Sequence, residues 1–297
     1  MAAQNNRLPA IRACLFDMDG LLIDSEDLYT IATNRVLREH GRPDLPWNIK
    51  AQLQGRPGPE AHRIFSEWAR LPITQAEYSA QLAEIQKELF PGCRPLPGVE
   101  ALLATLSGRT GGKVKVALAT SSHAANYRLK TTHLKELFEV FPEECRVLGD
   151  DARIGKGRGK PAPDIYLLAL KTVNERLRRE EGASEEELIR PEECLVFEDS
   201  VPGVEAGRRA GMQVVWCPHP GLREEYRGRE EEVLAGLTGE HKEDEGERLA
   251  EMNEQVVEKT TGTVRRHGAP GEIGDGYGRF LETLVDFPYK DFGIQVV

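Results

Sequence analysis

A doubly wound parallel α/β sheet carrying an inserted small helical domain is the fold class this sequence predicts, and three observations predict it. Apolar runs end abruptly in acids or hydroxyls at IRACLFDMDG (Ile11 to Gly20), VKVALAT (Val114 to Thr120) and ECLVFED (Glu193 to Asp199). Four to eight apolar residues closed by turn residues read as buried strands of a parallel sheet. From Val99 onward, helical spacing alternates with such strands, as βαβ units require. Between Pro46 and Phe90 no strand signal occurs, only short helices with proline breaks at Gly55-Arg56-Pro57-Gly58-Pro59 and Leu71-Pro72. The punctuation Pro91-Gly92, Pro95, Pro97-Gly98 then marks a boundary. The predicted organisation is a core built from residues 1–22 and 92–297, and a helical domain over 23–91.

In chain order, the first strand leads to a helix capped by Asp24 or Ser25 and running to about Glu39, with Leu28, Ile31, Ala32, Arg35 and Val36 on one face. His40-Gly41 ends it. After the boundary come a helix over Val99 to Leu106, the second strand, a helix from near Ser122 to about Thr132, and a short strand at Arg146-Val147-Leu148 leading into Gly149-Asp150-Asp151. A long helix from near Pro161 to about Arg179 precedes the Glu193 to Asp199 strand. A helix over Val201 to Ala210, closed by Gly211, precedes a last strand at Met212 to Trp216. Residues 222–275 carry charge runs such as HKEDEGE at His241 to Glu247 and few apolar residues, so they read as a mobile or loosely helical solvated insertion, or a charged partner-binding tail. The terminal DFPYKDFGIQVV is apolar enough to dock back on the core.

The chain has 297 residues, enough for a sizeable core, with 39% hydrophobic and 30% charged residues and a formal net charge of −10. That balance argues against nucleic acid and anionic membrane as partners. No apolar run approaches the roughly 18–20 residues of a membrane span, and MAAQNNRLPA lacks a signal-peptide core. Five cysteines without a Cys-x-x-Cys pair suggest reduced thiols and a cytoplasmic protein. A monomer or weak dimer is expected.

Ligands bind beyond the carboxyl ends of strands in open α/β sheets, and that edge gathers the polar groups. Asp17 and Asp19, at i and i+2 on a strand, start out on one face. Two carboxylates so close need a cation between them or a shared proton, which suits a carboxylate nucleophile beside an acid/base group and a divalent metal. Thr120, Ser121 and Ser122 at a helix start offer hydroxyls and N–H groups to a phosphate, or merely an N-cap. Lys160 precedes a proline-started helix in GKPAPD. Glu198 and Asp199 close a strand with hard oxygens suited to Mg²⁺.

These motifs together resemble the haloacid dehalogenase superfamily of aspartate-based phosphohydrolases: FDMDG at Phe16 to Gly20, LATSS at Leu118 to Ser122, GKPAPD at Gly159 to Asp164 and VFEDSVPGVEAGRRAGM at Val196 to Met212. The insertion after the first motif is similar to the small cap of the branch containing β-phosphoglucomutase, phosphoglycolate phosphatase and sugar-phosphate phosphatases. VALATSSHAANYRLKT, VLGDD and CLVFEDSVPGVEAG look most like pseudouridine-5′-phosphatases.

The resemblance implies a Mg²⁺-dependent phosphatase acting on a small phosphate monoester, such as a nucleoside or sugar phosphate. It implies Asp17 as nucleophile forming an aspartyl-phosphate, and Asp19 as acid and then base. It implies Thr120 and the backbone beyond it, Ser121 included, around the phosphoryl oxygens, with Lys160 neutralising charge. Mg²⁺ is expected on Asp17, the Asp19 carbonyl and Asp199, with Glu198 near or in its shell. Gly55 and Arg56 fall where relatives place a specificity loop, and Arg56 either meets a polar group of the substrate or is a surface residue of a proline-rich loop. Glu26 and Asp27 could also reach substrate hydroxyls. His62, His123 and His133 read as surface or packing residues. A mutase-like phosphotransferase would use the same aspartyl-phosphate. A dehalogenase would lack Asp19, and a non-catalytic binding module would have lost one of Asp17, Asp19, Lys160 or Asp199.

Overall fold

The computed structural model describes residues 8–56, 58–240 and 268–297. Its centre is a parallel sheet of six strands: β1 (Ala13–Phe16), β2 (Lys115–Ala119), β3 (Arg146–Val147), β4 (Cys194–Glu198), β5 (Gln213–Trp216) and β6 (Gly278–Phe280). Their order is β3-β2-β1-β4-β5-β6, with β1 in the middle, so the predicted α/β class holds. β6 has no counterpart in the expected strands. It is a three-residue edge strand, Gly-Arg-Phe, too short and too polar for a period of two to register.

Strands buried on both faces explain the continuous apolar runs. Alternate residues go to opposite sides: Ala13 and Leu15 of β1 join a core with Val196, Val214 and Trp216, while Cys14 and Phe16 join one with Leu118, Phe197 and Val215. Phe16 stacks on Phe197 with ring centroids 4.4 Å apart. Against the first core pack α8 (Asp164–Arg176) and α9 (Val201–Arg209), and against the second α5 (Val99–Gly108) and α7 (Lys135–Phe138). The expected docking of the C-terminal stretch also holds: Phe287, Phe292 and Ile294 are buried in the second core.

Two sequence expectations for the helices need correcting. The helix after β2, α6 (Ala124–Thr131), starts later than Ser122. Its first N–H donates to Asp150 of the VLGDD loop (3.0 Å), leaving Thr120 to Ser122 free of capping duty. The stretch 222–240 is not loose: α10 (Pro220–Glu225) and α11 (Glu230–Ala235) bury Leu222 and Val233 completely in the first core. The charge run at His241 to Glu247 lies outside the described residues.

Between β1 and α5 the chain leaves the sheet to form α1 (Ser25–Glu39), α2 (Trp47–Leu53), α3 (Gly58–Ala69) and α4 (Gln75–Leu89). α1 follows the expected bounds and turns Leu28, Ala32 and Val36 of the expected face inward, but Ile31 is exposed and Thr33 and Leu37 are buried as well. Nor is Asp24 a side-chain cap. Its carboxylate accepts from the Arg94 N–H (2.7 Å), and its own N–H donates to the Arg94 carbonyl (3.0 Å), tying together the two crossings between insertion and core. Leu37, Phe65 and Ala69 form a small core of the insertion's own. Among the described residues no helix is long and apolar enough to cross a membrane.

Candidate active site

Strand register places the predicted residues together. Phe16 pairs with Leu118 on one side and Phe197 on the other, so the next residue of each strand, Asp17, Ala119 and Glu198, lies at one level, and Thr120 and Asp199 follow. The Asp17 N–H donates to Phe197 O (3.0 Å) and the Thr120 N–H to Val147 O (3.0 Å), carrying the sheet bonding right to the site. A slip of one residue would turn every side chain to the other face. Asp17, Thr120, Lys160, Glu198 and Asp199 are all buried.

Lys160 comes in from the loop before α8 rather than from a helix terminus. Its ammonium donates to Asp17 Oδ1 (2.5 Å) and to Glu198 Oε1. Burial alone would favour the neutral amine, but the two carboxylates outweigh it and hold the Lys160 pKa above the usual lysine range. Burial pushes the Asp17 pKa up to about 7 against the pull of Lys160, with Glu198 and Asp19 adding to the rise. Glu198 is fully engaged: Oε1 also accepts from Tyr166 OH (2.7 Å), and Oε2 accepts from Ser200 N–H and Oγ–H (both 3.0 Å). Tyr166 comes from the inward side of α8.

The Asp19 side chain turns away from this group. Its Oδ1 accepts from Ser25 (2.5 Å) and from the Lys130 ammonium, and its Oδ2 from Ser122 (2.6 Å). Burial raises its pKa, but Lys130 and the two hydroxyls more than reverse that and hold it below the usual carboxylate range. Sequence reasoning missed Lys130. The available signal was its place at i+3 from Tyr127 and i−4 from Leu134, on the inward face of α6 where a lysine needs a reason.

The helical insertion supplies the facing wall of a cavity of about 780 Å³, floored by Asp17, Lys160 and Asp199. Ser121 and Asn126 line it from the core side, and Glu26, Lys50, Gln54, Phe65 and Tyr78 from the insertion. Lys50, also unforeseen, is buried and donates to Thr30 Oγ1 (2.7 Å) and Glu26 O (2.9 Å), with the Glu26 carboxylate 3.4 Å away. Asp27 is turned elsewhere, 3.5 Å from His219. Gly55 adopts φ +75°, and a Cβ there would sit 2.4 Å from Ser200 Oγ, so a glycine is what lets the loop close on the core. Gln54 beside it donates to Asp199 Oδ2 (2.5 Å), while its buried Oε1 has no hydrogen-bond partner.

For Arg56 the sequence leaves open a substrate contact or a surface residue of a proline-rich loop. Although it lines the cavity, its guanidinium is paired with Glu60 (3.6 Å) one turn on and with Glu240 of the segment after α11. Glu240 is in turn anchored by its N–H to Glu205 (3.0 Å). Both partners are carboxylates, so an anionic ligand would have to displace one of them. Of the histidines, His133 bonds the Cys93 carbonyl (2.7 Å), His123 precedes α6, and His62 lines the outer cavity.

Among the described residues one acid cluster could hold a metal: Asp17, Glu198 and Asp199, whose ligand atoms all lie within 4.8 Å of one another. The Asp19 carboxylate is not in it, which leaves only its main-chain carbonyl for the expected ligand role. Burial, Glu198 and Asp17 together push the Asp199 pKa well up. Three desolvated acids against one ammonium leave excess negative charge, and hard oxygens suit Mg²⁺. Gly20 keeps the space open: its φ is +77°, and a Cβ would come within 2.2 Å of Asp199 Oδ2. The residues fit a divalent cation.

The comparisons agree with this geometry. A family profile for haloacid dehalogenase-like hydrolases matches residues 11–211. A Saccharomyces cerevisiae protein named "Probable pseudouridine-5′-phosphatase" is 44% identical over 227 residues, covering 76% of this chain and 90% of its own. An Arabidopsis thaliana protein named (DL)-glycerol-3-phosphatase 1 is 33% identical, covering 77% of this chain and 71% of its own. A haloacid dehalogenase family hydrolase of Deinococcus radiodurans R1, crystallised with phosphate and sodium, is 27% identical with a TM-score of 0.52, covering 71% of this chain and 82% of that one. The chain therefore belongs to the haloacid dehalogenase-like hydrolase family, and it is a phosphatase of that family.

Proposed function

We propose that the protein hydrolyses a small, hydroxyl-rich phosphate monoester, a nucleoside or sugar phosphate such as pseudouridine 5′-phosphate, through an aspartyl-phosphate on Asp17 and with Mg²⁺. The observation that carries this reading is the convergence of Asp17, Lys160 and Asp199 on the floor of one cavity walled by polar cap residues. The cavity size falls in the usual range for small-molecule sites. Glu26, Lys50, Gln54 and Asn126 offer partners for hydroxyls, and Phe65 and Tyr78 an apolar wall for a ring. The name of the yeast relative points the same way. Residues 23–91 act as the cap that selects the ester.

Asp17 attacks phosphorus and the ester bond to the leaving oxygen breaks. Asp19 serves as acid towards that oxygen in its protonated form and then, as the carboxylate that Lys130 and the two hydroxyls favour, takes a proton from the water that hydrolyses the acyl phosphate, which restores the acid for the next cycle. Thr120, with the N–H groups and Ser121 beyond it, holds the phosphoryl oxygens, and Lys160 neutralises charge as it develops. Glu198, with all its contacts made, orients Lys160 rather than donating to the ion. When bound by Asp17, Asp199 and the Asp19 carbonyl, Mg²⁺ supplies further positive charge to the phosphoryl group. A cytoplasmic monomer or weak dimer fits five free cysteines.

A panel of phosphate monoesters, including pseudouridine 5′-phosphate, ribose 5-phosphate and glycerol 3-phosphate, tests the reading. Inorganic phosphate should be released from at least one in Mg²⁺, and release should stop in EDTA. Full-rate turnover in EDTA, or transfer to an added sugar without phosphate release, would reject it. Because Arg56 ties the cap loop to Glu240, R56A should slow all esters by a similar factor, about two- to tenfold for a partly exposed ion pair. A change confined to one ester would instead make Arg56 a substrate contact.

A further inference from the structure

We propose that Lys130 is the positioning residue for Asp19, fixing the carboxylate that exchanges a proton with the leaving oxygen. The proposal rests on the phosphatase reading above and goes beyond it. Lys130 lies on the inward face of α6 with its side chain wholly buried. It does not line the cavity, whereas Asp19 does, so Lys130 can act on a substrate only through another residue. Its ammonium has three N–H groups and three acceptors: Asp19 Oδ1, Ser122 Oγ (2.6 Å) and Tyr29 OH (3.2 Å). Tyr29 and Phe90 place ring faces 5.1 and 5.3 Å from the nitrogen.

A lysine in that position is an expensive way to fill space. Desolvating an ammonium opposes folding, and a leucine or methionine would pack against Tyr29 and Phe90 without that penalty. What the lysine adds is direction. Ser122 donates to Oδ2 of Asp19 and is itself held by Lys130, so one ammonium orients both oxygens of the carboxylate, one directly and one through a hydroxyl. Lys130 and Ser122 belong to the core, Ser25 and Tyr29 to the cap. The acid/base is thus clamped at the seam of the two by a group anchored on the core side. In the reaction Lys130 keeps its three protons. The proton that reaches the leaving oxygen comes from Asp19, and the one that restores Asp19 comes from water.

The leaving group provides the test. A p-nitrophenolate departs without being protonated, while the alkoxide of ribose 5-phosphate needs the proton. Full-length K130M, with folding checked by its melting curve, should lose about 100-fold in kcat on ribose 5-phosphate, the scale of general acid catalysis, with KM changed less than about threefold. In the first turnover, which ends before Asp19 is needed as base, p-nitrophenyl phosphate should lose less than about fivefold and ribose 5-phosphate the full factor. D19N should show the same selectivity, and D19N/K130M should be no slower than D19N, because residues acting as one unit are not additive. K130R keeps the charge but changes its reach, and should show the same bias at about tenfold. It carries the test if K130M does not fold. Equal losses on both esters in the first turnover, a pure KM effect, or a double variant slower by the product of the singles would overturn the role of Lys130 while leaving the phosphatase reading intact. Wild-type protein that cleaves neither ester in Mg²⁺ would overturn both.

Discussion

Asp17→Asn is expected to abolish phosphate release, by on the order of 10⁵-fold or more as for other removed nucleophiles, while the protein melts no lower than the wild type. An amide of the same shape cannot displace an alkoxide from phosphorus, and neither Lys160 nor the hydroxyl of Thr120 is placed to substitute. The stability half of the prediction follows from the environment of Asp17. Burial raises its pKa from the ordinary 3.8 to about 7 in the folded protein. A carboxyl raised in this way contributes stability that is fully present below its unfolded value and lost as pH rises through its folded one. Wild-type Asp17 therefore destabilises progressively from about pH 4 to pH 7 in Mg²⁺-free buffer, and the uncharged amide escapes that loss. D17N should then gain melting temperature over the wild type at pH 8 and little at pH 4. A variant that turns over at more than a small fraction of the wild-type rate would remove Asp17 from the nucleophile's role. One that melts lower at pH 8 would show that Asp17 is held mainly by its contact with Lys160.

The parts legible in sequence are those whose physical cause is local. β1 is apolar throughout and β2, β4 and β5 nearly so, because both faces are largely covered, and β1, β2 and β4 run out into polar groups. Register brings the ends of β1, β2 and β4 to one level, so Asp17, Thr120, Glu198 and Asp199 stand at the one sheet edge the sequence predicts, while Lys160 reaches them from the loop before α8. What escaped is non-local. Lys130 and Lys50 are lysines on inward helix faces, and their partners, Asp19, Tyr29 and Thr30, come from other elements. Arg56 looked open because Glu240 lies 184 residues away. The stretch 222–240 reads as too charged to pack, yet Leu222 of α10 and Val233 and Leu234 of α11 are buried in the first core. Composition averages over a segment, whereas docking needs only a few buried side chains.

Lys160→Met tests how the acid cluster is balanced. In the wild type one ammonium serves two buried carboxylates, Asp17 and Glu198. Methionine fills a similar volume but leaves both acids without a counter-charge, and removing one partner of a buried ion pair typically costs about 3–5 kcal/mol. For a chain of this size that corresponds to a fall in melting temperature of roughly 10 °C without metal. Glu198 retains Tyr166 OH and the two Ser200 donors, so Asp17 should bear most of the loss. The response to Mg²⁺ is the sharper measurement. Ligand binding to the folded state stabilises it by about 2.7 kcal/mol at one hundred times Kd, and in K160M a divalent ion would be the sole cation facing three acids. The rise in melting temperature on adding Mg²⁺ should therefore be larger in K160M than in the wild type, even as kcat falls by about 10²- to 10³-fold through lost charge stabilisation. Equal Mg²⁺ shifts in the two proteins would mean that Lys160 and the ion do not share the same carboxylates. That would take Asp17 out of the set of residues expected to hold the ion.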